Sequence, residues 1–244
     1  MILSAKTDIG SVRESNQDSF DCGVLENGIT WAVVCDGMGG ASGGNVASSI
    51  CVKKVSEAIK KNCSRKPNHK AIKNLLESAI SAANAMVFDE SLKDDALKGM
   101  GTTIVAVVIC GDIGVVAHVG DSRAYLINDG IARLTKDHSL VQLMIDTGKI
   151  TEEEAKTHPE RNIITRAVGI QNFVDADINV FDVSENDKIL LCTDGLTTVI
   201  EDEYIAEIIK SNSDSSSEML VETSIKSGSR DNITAVVIDG VQGE

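Results

Sequence analysis

The sequence is organised around short apolar runs that stop at an aspartate coupled to glycine. Three of them read WAVVCDGMGG, VVAHVGDSR and ILLCTDGL and deliver Asp36, Asp121 and Asp194; a fourth acid, Asp231 in SRDNITAVVI, stands just before another such run. Runs this short, rich in Val and Ile and bounded by Gly or Asp, are strand signals. They predict strands at Ile29–Cys35, Thr102–Cys110, Ile113–Val119, Lys188–Thr193 and Ile233–Asp239. Strand ends in a compact sheet structure lie close together, so the aspartates are expected to share one cleft.

Cys110-Gly111-Asp112 separates two of these runs by a tight turn, which predicts antiparallel sheet in the middle of the chain. Further pairing is expected at Arg123–Ile127, turning through Asn128-Asp129-Gly130 into Ile131–Leu134. Helical periodicity appears twice. Val46, Ile50, Val55 and Ile59 fall on one face, and Ile72, Leu75, Leu76, Ala79, Ala83, Met86 and Val87 on another. Lys61–Asn68, with Pro67, reads as the connection between two helices that cover one face of a sheet. Two shorter helices are expected after Glu201 and Ser217, on either side of the polar run Ser211–Ser217.

Ser139–Asn162 has a different character. Leu140–Thr147 and Thr151–Thr157 read as two short helices joined at Gly148 and closed by His158-Pro159, the second opening on a capping-box pattern of Thr151 with Glu154. Set between strand-like segments and carrying surface acids, this piece reads as a flap. No repeat, linker or low-complexity tract marks a boundary, so residues 1–244 are expected to form one domain with the flap at about 139–162.

Carboxylates gathered in a partly buried cleft repel one another and take up protons unless a cation neutralises them. Any one Asp-Gly pair is explained by turn chemistry alone; three at strand ends, with Asp231, point to a metal. The donors are oxygens, with no His or Cys at zinc-like spacing, which favours Mg²⁺ or Mn²⁺. Gly37 lets the backbone approach, and its carbonyl is a further candidate ligand. Arg13, five residues before Asp18, offers a guanidinium fork for a phosphate.

Charge and cysteine usage narrow the setting. With 37 acidic and 23 basic residues the formal net charge is −14, which disfavours nucleic acid and anionic membrane surfaces as partners. Cys22, Cys35, Cys51, Cys63, Cys110 and Cys192 form no C-x-x-C pair, and several sit in apolar runs, as free thiols of a reducing cytoplasm do. Neither an export signal nor a membrane-spanning run is read.

Six ordered motifs carry a resemblance. R-x-x-N-Q-D at Arg13–Asp18, D-G-M-G-G at Asp36–Gly40, G-T-T at Gly101–Thr103, G-D-S-R at Gly120–Arg123, T-D-G-L at Thr193–Leu196 and D-N-I-T at Asp231–Thr234 span nearly the whole chain. In these the chain resembles the compact bacterial form of the PPM, or type 2C, metal-dependent protein phosphatases. The resemblance implies an α+β fold, a four-layer α-β-β-α sandwich of two mostly antiparallel sheets flanked by helices, with metals at one edge.

It also implies roles. Asp36 bridges two ions, Gly37 ligates through its carbonyl, Asp194 and Asp231 complete the first ion's shell, and Asp18 lies near the second. Asp121 with Asp194 matches a weaker third site, and Arg13 the phosphate-binding arginine. The implied reaction is hydrolysis of phosphoserine and phosphothreonine in proteins by a metal-bridging water, opposing a bacterial serine/threonine kinase, by a cytoplasmic monomer. Many eukaryotic relatives have His where this chain has Met38. That leaves the proton donor to the leaving group unassigned between His158 and metal-bound water, whereas His118 reads as structural. A catalytically silent pseudophosphatase that binds phosphoproteins is the alternative, but the five aspartates, Gly37 and Arg13 are all present. The flap is expected to select substrates, with Glu152, Glu153 and Glu154 disfavouring acidic phosphopeptides.

Overall fold

The computed structural model describes residues 2–63, 67–212 and 214–240. In chain order its elements begin with β1 (Ile2–Asp8), β2 (Asp18–Val24), β3 (Thr30–Met38), α1 (Gly40–Asn62) and α2 (His69–Ser91). The central part holds β4 (Gly101–Thr102), β5 (Ile104–Cys110), β6 (Ile113–Val119), β7 (Arg123–Ile127), β8 (Ile131–Arg133), α3 (Leu140–Asp146) and α4 (Glu152–Lys156). The chain then runs through β9 (Asp177–Asp182), β10 (Lys188–Cys192), α5 (Asp194–Thr197), α6 (Asp202–Ser211), α7 (Ser216–Lys226) and β11 (Ile233–Asp239).

Two sheets form, ordered β1-β11-β10-β7-β8 and β2-β3-β5-β6-β9, with β4 extending beside β3. All pairings are antiparallel. The five strands read from apolar runs are present, and Cys110 pairs with Ile113 across the turn at Gly111 and Asp112. Side chains alternate across a strand with period two, and the central strands use both faces. Ala32, Val34, Val105 and Val107 meet Ile189, Leu191, Val236 and Ile238 between the sheets. Trp31, Val33, Cys35 and Val108 instead face α1 and α2, while Leu190, Cys192 and Val237 face α5 to α7. The result is the four-layer α-β-β-α sandwich, with buried strands that carry apolar residues on both faces.

Three strands were not legible as apolar runs. β1, β2 and β9 are edge strands, half solvated, and their sequences ILSAKTD, DSFDCGV and DINVFD are correspondingly polar. The helical faces also shift. Ala47, Cys51, Val55 and Ile59 form the buried stripe of α1, with Val46 and Ile50 at its margin, and Met86 of α2 is exposed. Of the expected connection Lys61–Asn68, Lys61 and Asn62 still belong to α1 and residues 64–66 lie outside the described residues; residue 213 of the Ser211–Ser217 run does likewise. All six cysteines are free. No helix among the described residues is long and apolar enough to cross a membrane.

Candidate metal centre

The cleft lies where strands of both sheets end. Asp18 opens β2 and pairs in register with Asp36 on β3. Asp121 follows β6, Asp194 opens α5 directly after β10, and Asp231 immediately precedes the β11 region. Asp18, Asp194 and Asp121 each add negative charge around the buried Asp36 carboxyl. Arg13 reaches the same place, its Nη2 donating to Asp231 Oδ2 at 2.6 Å, and Asp36 and Asp194 add to the negative field around it. All the acids expected to act together, and Arg13, therefore converge.

Hydroxyls and amides hold these acids. Thr234 and Thr193 donate to Asp18 Oδ2 at 2.7 and 2.9 Å. The Asp36 N–H donates to Thr103 Oγ1 at 2.9 Å, and its carbonyl accepts from the Thr103 N–H and the Thr102 hydroxyl. Thr103 Oγ1 lies 2.7 Å from Ser122 Oγ, which ties the Asp121 loop to the Asp36 strand. Asn232 donates to the carbonyls of Ile9 and Ser15 and accepts from the Gln17 N–H, clasping the loop that carries Arg13. These supports occupy motif positions next to each acid, yet the motif letters alone give them no role.

The two glycines after Asp36 and Asp194 are there for space, since neither adopts a left-handed turn conformation. A Cβ on Gly37 would stand 2.1 Å from the Gly44 carbonyl oxygen, and one on Gly195 would stand 2.0 Å from that of Asn232. Backbone atoms cannot rotate aside as a side chain does. Gly37→Ala is therefore expected to cost about 3 kcal/mol of stability or more and to weaken Mn²⁺ binding, measured by urea unfolding and calorimetry.

Electrostatics test whether the residues fit cations. Burial, then Asp18 and Asp194, push the Asp36 carboxyl well above the usual range. Burial raises Asp18 to about 7 against the two threonine hydrogen bonds, burial and then Asp194 raise Asp121 to about 8, and burial and then Asp231 raise Asp194 to about 6. Asp18 Oδ1 and Asp194 Oδ1 are buried with no hydrogen-bond partner. Carboxylate oxygens that are crowded, orphaned and held from behind are a donor set for hard divalent cations.

From Asp121 and Asp194 a groove of about 670 Å³ runs between the flap and the start of α6. The flap has the two expected helices, and α4 begins with the expected capping box. Glu154 belongs to that cap and Glu153 pairs with Lys156, so of the three flap acids Glu152 lines the groove. Arg123 and Arg133 on its wall are both held by Asp137. His158 does not line the groove; its Nδ1 accepts from the Glu160 N–H, a turn-capping role. His118 is buried in β6, with Nε2 2.8 Å from the Lys136 carbonyl, in keeping with a structural part.

Residues 11–235 match the family model described as protein phosphatase 2C. The chain is 37% identical over 242 residues to a putative protein phosphatase 2C-type of Streptococcus pyogenes, covering 98% of this chain and 97% of that protein. It is 36% identical over 239 residues to the serine/threonine phosphatase stp of Listeria monocytogenes, covering 96% and 94%. Among solved structures, the S. agalactiae serine/threonine phosphatase superposes with a TM-score of 0.89 at 35% identity, over 97% of this chain and 98% of that one. The catalytic domain of the phosphatase PstP in complex with two manganese ions gives 0.86 at 32% identity, over 98% of each chain.

Proposed function

This chain belongs to the protein phosphatase 2C family, and from that premise we propose that the cleft is a divalent-metal centre at which phosphoserine and phosphothreonine are hydrolysed. The observation that carries the reading is the convergence of acids from both sheets with two buried carboxylate oxygens left without partners. Asp36, the Gly37 carbonyl, Asp194 and Asp231 are the ligands we assign to the core, with Asp18 beside the second ion and Asp121 with Asp194 holding a weaker third. Manganese or magnesium suits this all-oxygen set.

Bound cations supply Lewis-acid charge and lower the pKa of water at the reacting phosphorus. The protein does the rest. Arg13, whose side chain is 54% exposed at the rim, offers its guanidinium to the phosphoryl oxygens, where negative charge must be stabilised. The groove orients the peptide around the phosphorylated residue. Water adds to phosphorus as the bond to the seryl or threonyl oxygen breaks, releasing inorganic phosphate and the free hydroxyl. Met38 cannot give the departing oxygen its proton, and neither can His158 from its place outside the groove, so we assign that proton to water in the cleft.

Residues 1–244 are read as one catalytic unit in which the flap, about 139–162, selects phosphorylated protein substrates. Free thiols and a net charge of −14 support a monomer in a reducing cytoplasm, and membership of the phosphatase family supports a role opposing a serine/threonine kinase. Hydrolysis of p-nitrophenyl phosphate and a phosphothreonine peptide is expected with Mn²⁺ or Mg²⁺ and not with EDTA. Arg13→Ala is expected to raise KM for the peptide about 10- to 100-fold, the worth of a charged hydrogen bond. Folded, metal-binding protein with no turnover on any divalent cation would overturn the assignment.

A further inference from the structure

The base of the flap meets the loop that carries Asp121 at His138, beside the Arg123–Asp137 ion pair. His138 immediately precedes Ser139, the N-cap of α3. Its N–H donates to the Gly120 carbonyl at 2.9 Å, and its Nδ1 accepts from the Gly120 N–H at 3.1 Å. Both backbone polar groups of Gly120 thus end on His138. The carbonyl of His138 accepts from the Thr165 N–H at 2.7 Å, where the chain leaves the flap. The residue is buried, and its ring stacks on His118 with centroids 4.7 Å apart.

Gly120 depends on such a grip. Its φ is +103°, and a Cβ there would stand 2.6 Å from Thr103 Cγ2, so no side chain of its own fixes the loop. Asp121 is consequently held on two sides, by Gly120 on His138 and by Ser122 on Thr103.

The Gly120 N–H approaches Nδ1 and Arg166 Nη1 approaches Nε2, and a neutral imidazole accepts from only one of them; the grip on Gly120 requires Nδ1 to be the acceptor. With Nδ1 accepting, the proton of the neutral ring sits on Nε2, 3.4 Å from Asp177 Oδ2. Arg166 Nη1, 3.2 Å from that nitrogen and itself only a donor, donates to Asp177 Oδ1 at 2.7 Å. His118, His138 and Asp177 bring ligand atoms within 4.8 Å of one another, but this is not a second metal site. Coordination through Nε2 would drive the ring proton onto Nδ1, against the Gly120 N–H, and Arg166 already brings positive charge there.

We propose that His138 is a positioning residue for the phosphatase reaction: by holding the Gly120 backbone it sets the Asp121 carboxylate in the metal cluster and couples that placement to the base of the flap. The proposal rests on the reading of Asp121 as a ligand of the weakest cation. Asn presents Oδ1 where Nδ1 lies, whereas Gln presents its amide where Nε2 lies, so H138N keeps the grip on Gly120 and H138Q loses it. In the metal-free protein, amide exchange at Gly120 followed by NMR is expected to stay within about threefold of wild type in H138N and to accelerate about tenfold or more in H138Q. The Mn²⁺ concentration that half-fills the weakest site, measured by calorimetry, is expected to rise about 10- to 100-fold in H138Q and little in H138N.

Equal behaviour of the two variants, whether both intact or both impaired, overturns the proposal. If either folds poorly, the ring nitrogens of the wild-type protein decide by ¹⁵N NMR: a protonated Nδ1 overturns it and a protonated Nε2 supports it. Asp121→Asn separates the two assignments. Loss of the weakest Mn²⁺ site with Gly120 exchange unchanged supports both, whereas unchanged Mn²⁺ binding refutes the ligand role of Asp121, and with it the catalytic consequence of the grip.

Discussion

Asp36→Asn is expected to lower kcat on a phosphothreonine peptide about 10³-fold at saturating Mn²⁺, because an amide keeps the shape of the carboxylate and loses its charge. Charge stabilisation by bound cations is worth several kcal/mol, and about 4 kcal/mol is three decades in rate at 1.36 kcal/mol per decade. Asp36 is the acid on which the cluster is centred. It faces Asp18 across β2 and β3, feels the charge of Asp194, and has its backbone held by Thr102 and Thr103. The same variant should fold at least as firmly as wild type without metal, since it removes a carboxyl whose ionisation burial and its acidic neighbours oppose. Steady-state kinetics with and without added Mn²⁺, beside thermal unfolding in EDTA, checks both halves. A loss under tenfold would remove Asp36 from the centre.

The metal-free protein is expected to become less stable as pH rises from 6.5 to 8.5. Asp194, Asp18 and Asp121 have their folded-state values raised from 3.8 to about 6, 7 and 8. A raised value means that the folded chain holds a proton the unfolded chain has released. The resulting stabilisation is complete below the unfolded value and is lost as pH climbs through the folded ones. Burial lowers the values of His118 and His138 below 6.5, which acts in the opposite sense at lower pH, so the decline is read above that point. A loss of about 2 kcal/mol would lower Tm by about 4–8 °C for a chain of this size. Mn²⁺ should flatten the profile and raise Tm more at pH 8.5 than at 6.5, since it binds the ionised cluster. Scans in EDTA and in Mn²⁺ at matched pH test this; a flat metal-free profile would mean the carboxylates are not crowded.

Asp36, Asp121 and Asp194 were readable in one dimension because each stands at the end of an apolar run, with Asp231 just before another, and strand ends in stacked sheets gather at an edge; Asp18, which opens the polar β2, came from the motif resemblance alone. Their supports were not. Thr193, Thr234 and Asn232 are ordinary polar letters until β10, β11 and the loop before β2 are brought together, when hydroxyls 175 and 216 residues from Asp18 close on one oxygen. The edge strands escaped notice for a related reason: β1, β2 and β9 contribute only a few apolar side chains to the core, among them Leu3, Phe20 and Phe181, too few to form an apolar run.

The sequence by itself determined the central strands, the helical coverings, the two-helix flap and four of the five acids, Asp36, Asp121, Asp194 and Asp231, since these follow from hydrophobic period and from charge that must be neutralised. Tertiary structure alone decided the finer matters. It showed which carbonyls stand against Gly37 and Gly195, those of Gly44 and Asn232, that one of three flap glutamates lines the groove, and that His138 grips Gly120 while His158 caps a turn. Gly195 against Asn232 and His138 against Gly120 depend on distances between separate segments, whereas the His158 cap is local, two residues along the chain. Periodicity describes how one segment meets an apolar layer, but it carries no information about which polar atom lies opposite once two segments pack.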